Sequence, residues 1–79
     1  MDKKEVVVSL TSIFRKVFSD DLLELTDKLS ANDVDRWDSL SHMLLITEIE
    51  KCFSITFKLK DLNKMQNVGD MVEIIISKM

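Results

Sequence analysis

Seventy-nine residues, 46% of them apolar, leave room for one small domain over residues 1–79 whose stability should be thin. The net charge of −3, from 14 acidic against 11 basic residues, lacks the concentration of Lys and Arg that marks a nucleic-acid binder. One cysteine, Cys52, and one histidine, His42, supply neither a disulfide framework nor the roughly four ligands of a zinc site.

No apolar run approaches the roughly twenty residues of a membrane span. The opening Met1-Asp2-Lys3-Lys4-Glu5 leads into an amphipathic pattern without a signal-peptide cleavage site. With a lone thiol that fits a reducing compartment, the expectation is a soluble, cytoplasmic protein. There is no proline and one glycine, Gly69, so tight hairpins have little support and helices joined by polar loops are the natural class.

The first helix is predicted from Asp2 to Phe18. Val6, Val7, Leu10, Ile13, Phe14, Val17 and Phe18 follow the spacing of one helical face. Asp2 and Glu5 suit its positive end, and Arg15 and Lys16 its negative end. Ser19-Asp20-Asp21 should stop it. Residues 19–38 then read as one long connection in which Leu22, Leu23, Leu25 and Leu29 recur through a polar background. A structureless stretch of that length is unusual in a compact domain, so these leucines are expected to pack back on the core, with at most one short helical turn.

A second helix is predicted from Ser39 or Leu40 to Cys52 or Phe53. Leu40, Met43, Leu44, Ile46, Ile49 and Phe53 make a broad apolar face, widened by Leu45 and Cys52, as in a helix central to its domain. Ser54 to Phe57 alternates like a strand but has no partner, and is expected as an extended connector burying Ile55 and Phe57. A short third helix follows over Leu59 to Lys64. The last helix should be capped by Asn67, with Asp70 three residues on, and should turn Val68, Met71, Val72, Ile75 and Met79 inward, with Ile74 and Ile76 broadening that side. The expected fold is all-α: a small four-helix bundle, three main helices and a short third, with a long loop between the first two.

The chemistry concentrates at Arg36-Trp37-Asp38-Ser39-Leu40-Ser41-His42, where polar loop becomes apolar helix. An Asp or Ser in such a place is commonly an N-cap. Hydrolase chemistry finds no support: no Gly-x-Ser-x-Gly elbow surrounds Ser39, and His42 has no recognisable acid or oxyanion partner. A serine at a helix start is instead exposed, rigidly held and near partial positive charge, which suits an attached phosphate, partly offset by the charge of Asp38. Asp38 itself either caps the helix or orients the serine for a modifying enzyme.

The ordered set is the first amphipathic helix, the long loop, Asp38-Ser39-Leu40, a helix ending Ile49-Glu50-Lys51-Cys52-Phe53, Ile55, a short helix, and Asn67-Val68-Gly69-Asp70-Met71-Val72. It resembles the acyl or peptidyl carrier proteins over nearly the whole chain. The resemblance implies no catalysis by the chain itself. It implies that Ser39 carries a 4′-phosphopantetheine arm, added from coenzyme A by a phosphopantetheinyl transferase, whose thiol holds acyl or aminoacyl groups as thioesters for loading and accepting enzymes. A monomer is expected, with no metal. The alternative is a helical interaction module, or degenerate carrier, in which Ser39 is only a cap.

Departures from the family pattern point to partner choice. Arg36-Trp37 stands where fatty-acid-synthesis members usually have Gly-Ala, and Ser41-His42 replaces the usual acidic follow-on. The second helix carries only Glu48 and Glu50 as acids, so electrostatic steering by it should be weaker. The Trp-Asp-Ser-Leu-x-His pattern is closer to carriers of specialised pathways: polyketide, nonribosomal or cell-envelope assembly, or one related to fatty acids. Trp37, Asp38, Leu40, His42, Met43 and Glu48 are the candidates for partner recognition. Within that group Trp37 is read first as a loop aromatic packed over the bundle. His42 is placed on the exposed edge of the second helix, in reach of the arm or a partner. Leu40 is expected to anchor the helix start, and Met43, Leu44 and Ile46 to contact partners or cargo. Cys52 is read as a small buried hydrophobe, Met43, Met65 and Met71 as core candidates, and Lys58, Lys60, Asp61 and Lys64 as a solvated face.

Overall fold

The computed structural model describes residues 2–79; Met1, part of the N-terminal pattern above, lies outside the described residues. Helix α1 runs over Lys3–Phe18. Asp2 is its N-cap rather than its first residue, with Oδ1 accepting the Glu5 N–H at 2.9 Å. One stripe, Val6, Leu10, Ile13, Phe14 and Phe18, is buried. The helix stops where Ser19 turns left-handed at φ 51°, and the N–H of Asp20 reaches back to the Arg15 carbonyl at 3.0 Å. That return bond satisfies a carbonyl the helix leaves without a partner.

The connection through residues 19–38 is a chain of separate turns. N–H groups of Leu29, Asp33 and Trp37 each bond the carbonyl three residues back, and none of these turns continues into a helix. Leu23, Leu25 and Leu29 pack against the core, as their recurrence predicts, and Val34 joins them. Leu22 does not: it is 86% exposed, because the backbone here is not helical and adjacent leucines point to opposite sides. Two arginines fasten this loop to α1, Arg15 Nε donating to the Leu23 carbonyl at 2.8 Å and Arg36 to that of Phe18 at 3.5 Å.

Helices α2 (Ser39–Phe53), α3 (Leu59–Asn63) and α4 (Val68–Ser77) complete an all-helical bundle, and α1 packs against both α2 and α4. The core between them joins the α1 stripe to Leu45, Ile46 and Ile49, to Phe57, and to Val68, Met71, Val72 and Ile75. Each such side chain contributes about 1.5–3 kcal/mol on leaving water. Between α2 and α3 the chain is extended, with Phe57 buried and Ile55 half-buried, and the Glu50 carboxylate on α2 accepts the Phe57 N–H at 2.8 Å. α3 ends one residue earlier than expected, Lys64 being its C-cap. Asp61 accepts the Lys58 N–H and pairs with Lys78 Nζ, both at 2.8 Å, tying α3 to the end of α4.

α4 begins against the long loop. Asn67 Oδ1 accepts the Asp70 N–H at 2.8 Å, while the Leu29 and Asp27 carbonyls accept the N–H groups of Val68 and Gly69, each at 2.9 Å. Gly69 is required here by closeness and not by conformation: a Cβ would lie 3.1 Å from the Asp27 carbonyl oxygen.

Several packing expectations are corrected. α2 is apolar over more of its circumference than its neighbours cover, so they bury Leu45, Ile46 and Ile49 and leave the opposite side in solvent. Leu40 is 75% exposed and does not anchor the helix start; Met43 is 53% exposed and is not core; Cys52 is exposed at the far end. Ile46, a candidate for contact with partners or cargo, is buried. Met79 is exposed because α4 ends at Ser77 and the last residues leave the helical face.

Candidate functional site

The start of α2 is built by a reciprocal pair of hydrogen bonds. Asp38 is the N-cap: its Oδ1 accepts the Ser41 N–H at 2.9 Å, and the Asp38 N–H donates to Ser41 Oγ at 2.8 Å. The Ser41 hydroxyl donates in turn to the Arg36 carbonyl at 2.7 Å. The Ser41 backbone bond, chiefly, holds the Asp38 carboxyl below its ordinary value of 3.8, so it stays ionised. The capping role considered for Ser39 thus falls to Asp38. Ser39 is the first residue of the helix proper, exposed, and its hydroxyl has no hydrogen-bond partner among the described residues.

Trp37 and His42 flank this cap. Trp37 is buried, meeting Phe14 edge-on at 5.2 Å between ring centroids and Phe18 at 6.2 Å. It is therefore the piece of the loop that locks onto α1. Its indole Nε1–H donates to His42 Nδ1 at 3.0 Å, and the two rings lie 18° from parallel. His42 is accordingly half-buried under the loop, not at a fully exposed edge. Desolvation lowers its pKa from the ordinary 6.5, favouring the neutral ring.

A shallow groove of about 570 Å³ opens beside the serine, lined by Ala31, Trp37, Asp38, Ser39, His42, Met43 and Met65. Five of the residues singled out in the sequence, Trp37, Asp38, Ser39, His42 and Met43, meet there. Leu40 and Glu48 do not. Leu40 shares an exposed apolar patch with Met43 and Leu44, its neighbours at three and four residues along the helix. Glu48 sits farther along α2, roughly 13 Å from Ser39 by helical rise, and makes a surface pair with Lys16 at 3.4 Å. Ala31 and Met65 were not foreseen as parts of the site, since each arrives from a separate connection. The Trp37–His42 contact did carry a signal: the two residues occupy the positions of a hydrophobic staple, just before the cap and at the fourth helical residue.

Among the described residues no cluster of His, Cys, Asp or Glu has the arrangement of a metal site, and no helix is long and apolar enough to cross a membrane. No family model matches the chain. It is 30% identical to a protein named acyl carrier protein from an Exiguobacterium species, over 100% of both chains. Its structure is similar to the solution NMR structure of a holo acyl carrier protein from Geobacter metallireducens, with a TM-score of 0.88 and 49% identity over 92% of this chain and 84% of that one. The chain belongs to the acyl carrier protein family, whose members carry intermediates and do not catalyse.

Proposed function

We propose that this member of the acyl carrier protein family carries a 4′-phosphopantetheine arm on Ser39. The observation that supports it most is the division of labour at the start of α2. Asp38 and Ser41 complete the cap between them, leaving the Ser39 hydroxyl exposed and uncommitted on the first turn of a rigid helix. The residues fit the group in two further respects. The helix N-terminus offers partial positive charge to a phosphodiester, and the adjoining groove offers Met43 and Met65, whose thioethers adapt to an uneven apolar shape.

In the attachment step Ser39 Oγ forms a bond to the β-phosphorus of coenzyme A, the bond to the adenosine bisphosphate half breaks, and the serine proton passes to a base on a phosphopantetheinyl transferase. The bound arm supplies a thiol that holds acyl or aminoacyl groups as thioesters. The chain's own contribution is to fix the attachment point and to raise the effective concentration of cargo at each partner. Trp37 and His42 keep the loop-to-helix junction in one geometry, and Asp38 keeps the first turn formed.

The partners proposed are the transferase and the enzymes that load and unload the arm, met by a monomeric, cytoplasmic carrier as one domain. Leu40, Met43 and Leu44 are the patch on which they dock, with Asp38 and His42 at its margin. Trp37 contributes through the edge it shows to the groove, and Glu48 through a charge weakened by Lys16. The thin acidic surface of α2 supports a specialised pathway over housekeeping fatty-acid synthesis. Co-expression with a broad-specificity phosphopantetheinyl transferase, followed by intact-mass measurement, tests the reading. One added arm is expected on the natural chain and none on Ser39→Ala; no added mass, or mass that persists in the variant, sinks it.

A further inference from the structure

His42 has one ring nitrogen that the fold uses and one that it leaves open. An indole N–H only donates, so the 3.0 Å contact from Trp37 requires a bare Nδ1 and puts the imidazole proton on Nε2. The ring has little freedom to change this. It is held edge to edge with Trp37, the two planes 18° apart and the ring centroids 6.1 Å apart, and Trp37 is itself wedged against Phe14 and Phe18. The Nε2–H has no protein partner among the described residues, and no side-chain nitrogen or oxygen there is both sealed from solvent and unpaired. It therefore reaches solvent, and the groove that His42 lines is the one beside Ser39.

Within that groove the donors are few. Trp37 has spent its N–H on His42; Asp38 is an acceptor; Ala31, Met43 and Met65 offer none; and the Ser39 hydroxyl loses its proton when an arm is attached. The His42 Nε2–H is then the one uncommitted side-chain N–H on the lining. Its position suits the attachment point and not the far end of an arm. Residues three apart on a helix are surface neighbours, with Cβ atoms about 5–6 Å apart. Helical side chains also lean toward the preceding turn, so His42 leans over Ser39.

We propose that His42 binds the phosphodiester on Ser39, its Nε2–H donating to a nonbridging oxygen, and that Trp37 is the positioning residue that fixes the donor tautomer. This rests on the arm being attached as read above. The groups lining the groove with the imidazole are Asp38, Ser39 and Met43 from its own helix and cap, Ala31 and Trp37 from the loop and Met65 from the connection before α4, with Phe14 and Phe18 of α1 behind Trp37. Only Asp38 among them is ionisable, and its carboxylate is engaged by the Ser41 N–H. An added phosphodiester is thus the main new charge the ring meets.

The test compares full-length apo and arm-bearing protein, sorted first by intact mass, using imidazole ¹⁵N and ³¹P NMR across a pH titration. In the arm-bearing form His42 keeps the Nε2–H tautomer, its pKa rises by about half a unit or more as the anion favours the charged ring, and the ³¹P resonance titrates with the same midpoint. In His42→Gln the ³¹P titration disappears while the far-UV spectrum stays helical. In Trp37→Phe, with Nδ1 released, the ¹⁵N shifts move to a mixture of tautomers. A chain that gains no mass overturns both readings. A chain that gains the mass but shows the same His42 midpoint in both forms, with a ³¹P resonance that does not titrate, overturns this inference alone.

Discussion

Helices α1 and α2 begin and end by the same devices and differ in the faces between. Each starts from an aspartate cap, Asp2 or Asp38, and each stops at a serine in the left-handed region, Ser19 at φ 51° or Ser54 at φ 55°. Between those ends α1 buries a full-length stripe from Val6 to Phe18. α2 buries a short central group, Leu45, Ile46 and Ile49, and leaves Leu40, Met43 and Leu44 in water. Most of the apolar content of α1 is accounted for by folding, with Val8 left 61% exposed. That of α2 exceeds what folding uses, and the surplus lies at the end that carries Ser39. An exposed apolar cluster beside the proposed attachment point marks a surface for something else.

Substitutions that separate the two faces test this contrast most strongly. Phe14→Ala on α1 removes a ring fully buried against Phe18 and Trp37, and is expected to cost about 3–5 kcal/mol, enough to unfold much of so small a protein. Leu40→Ala on α2 should change stability by no more than about 0.5 kcal/mol, yet slow transfer by loading enzymes. Chemical denaturation followed by circular dichroism reads the first, and transfer assays on the arm-bearing protein read the second. A Leu40→Ala loss as large as that of Phe14→Ala would place Leu40 in the core after all. Next in size is the junction of the long loop with α4. Gly69→Val pushes a branched side chain toward the Asp27 carbonyl, where a bare Cβ already sits at 3.1 Å. About 1–3 kcal/mol is expected to be lost, with faster amide exchange at Val68 and Gly69, whose N–H groups the loop carbonyls hold.

What was legible in the sequence follows from the same contrast. The helices were readable because their stripes and caps are local: Asn67 with Asp70, and the α1 spacing, needed no knowledge of distant residues. The helix start at Ser39 was readable because a polar-to-apolar boundary marks it, whereas the proposed role of Ser39 came from the resemblance to carrier proteins and not from that boundary. The outward side of α2 was not, since Leu40, Met43 and Leu44 look as buriable as Leu45 and Ile46. Which of them is covered depends on where α1 and the connections lie. Met65 and Ala31 reach the groove only through tertiary placement, and Gly69 showed no turn signal because its reason is the nearness of Asp27. The staple of Trp37 on His42 was local and present; its pattern differs from the usual pair of aliphatic residues.

A smaller effect belongs to that staple and has a definite sign. His42 titrates in the folded protein below its ordinary 6.5, because desolvation favours the neutral ring. The unfolded chain therefore binds the proton first as pH falls, and stability must decline over that interval. The contribution is full above pH 6.5 and is lost as the pH drops from there through the folded value. Asp38 and Asp61, both held below 3.8, lose theirs only in stronger acid. Thermal melts of the apo protein between pH 8 and 5 should show the first decline in the natural chain and a flat profile in His42→Gln. A flat profile in both would remove the staple from the energetics of the junction.

The smallest effect probes the ends the two helices share. A serine in the left-handed region is strained by its Cβ, a strain of roughly 1–2 kcal/mol for an L-residue, while glycine gives back part of the gain as unfolded-chain entropy. Ser19→Gly and Ser54→Gly should therefore each stabilise by a few tenths to about 1 kcal/mol, raising the denaturation midpoint without changing its slope. Because the two termini have the same return bond, from Asp20 to Arg15 at 3.0 Å and from Ile55 to Glu50 at 3.2 Å, the gains should be similar and should add in the double variant. A gain at Ser19 without one at Ser54 would mean that the end of α2 frays in solution. The difference between the helices would then extend from their faces to their termini.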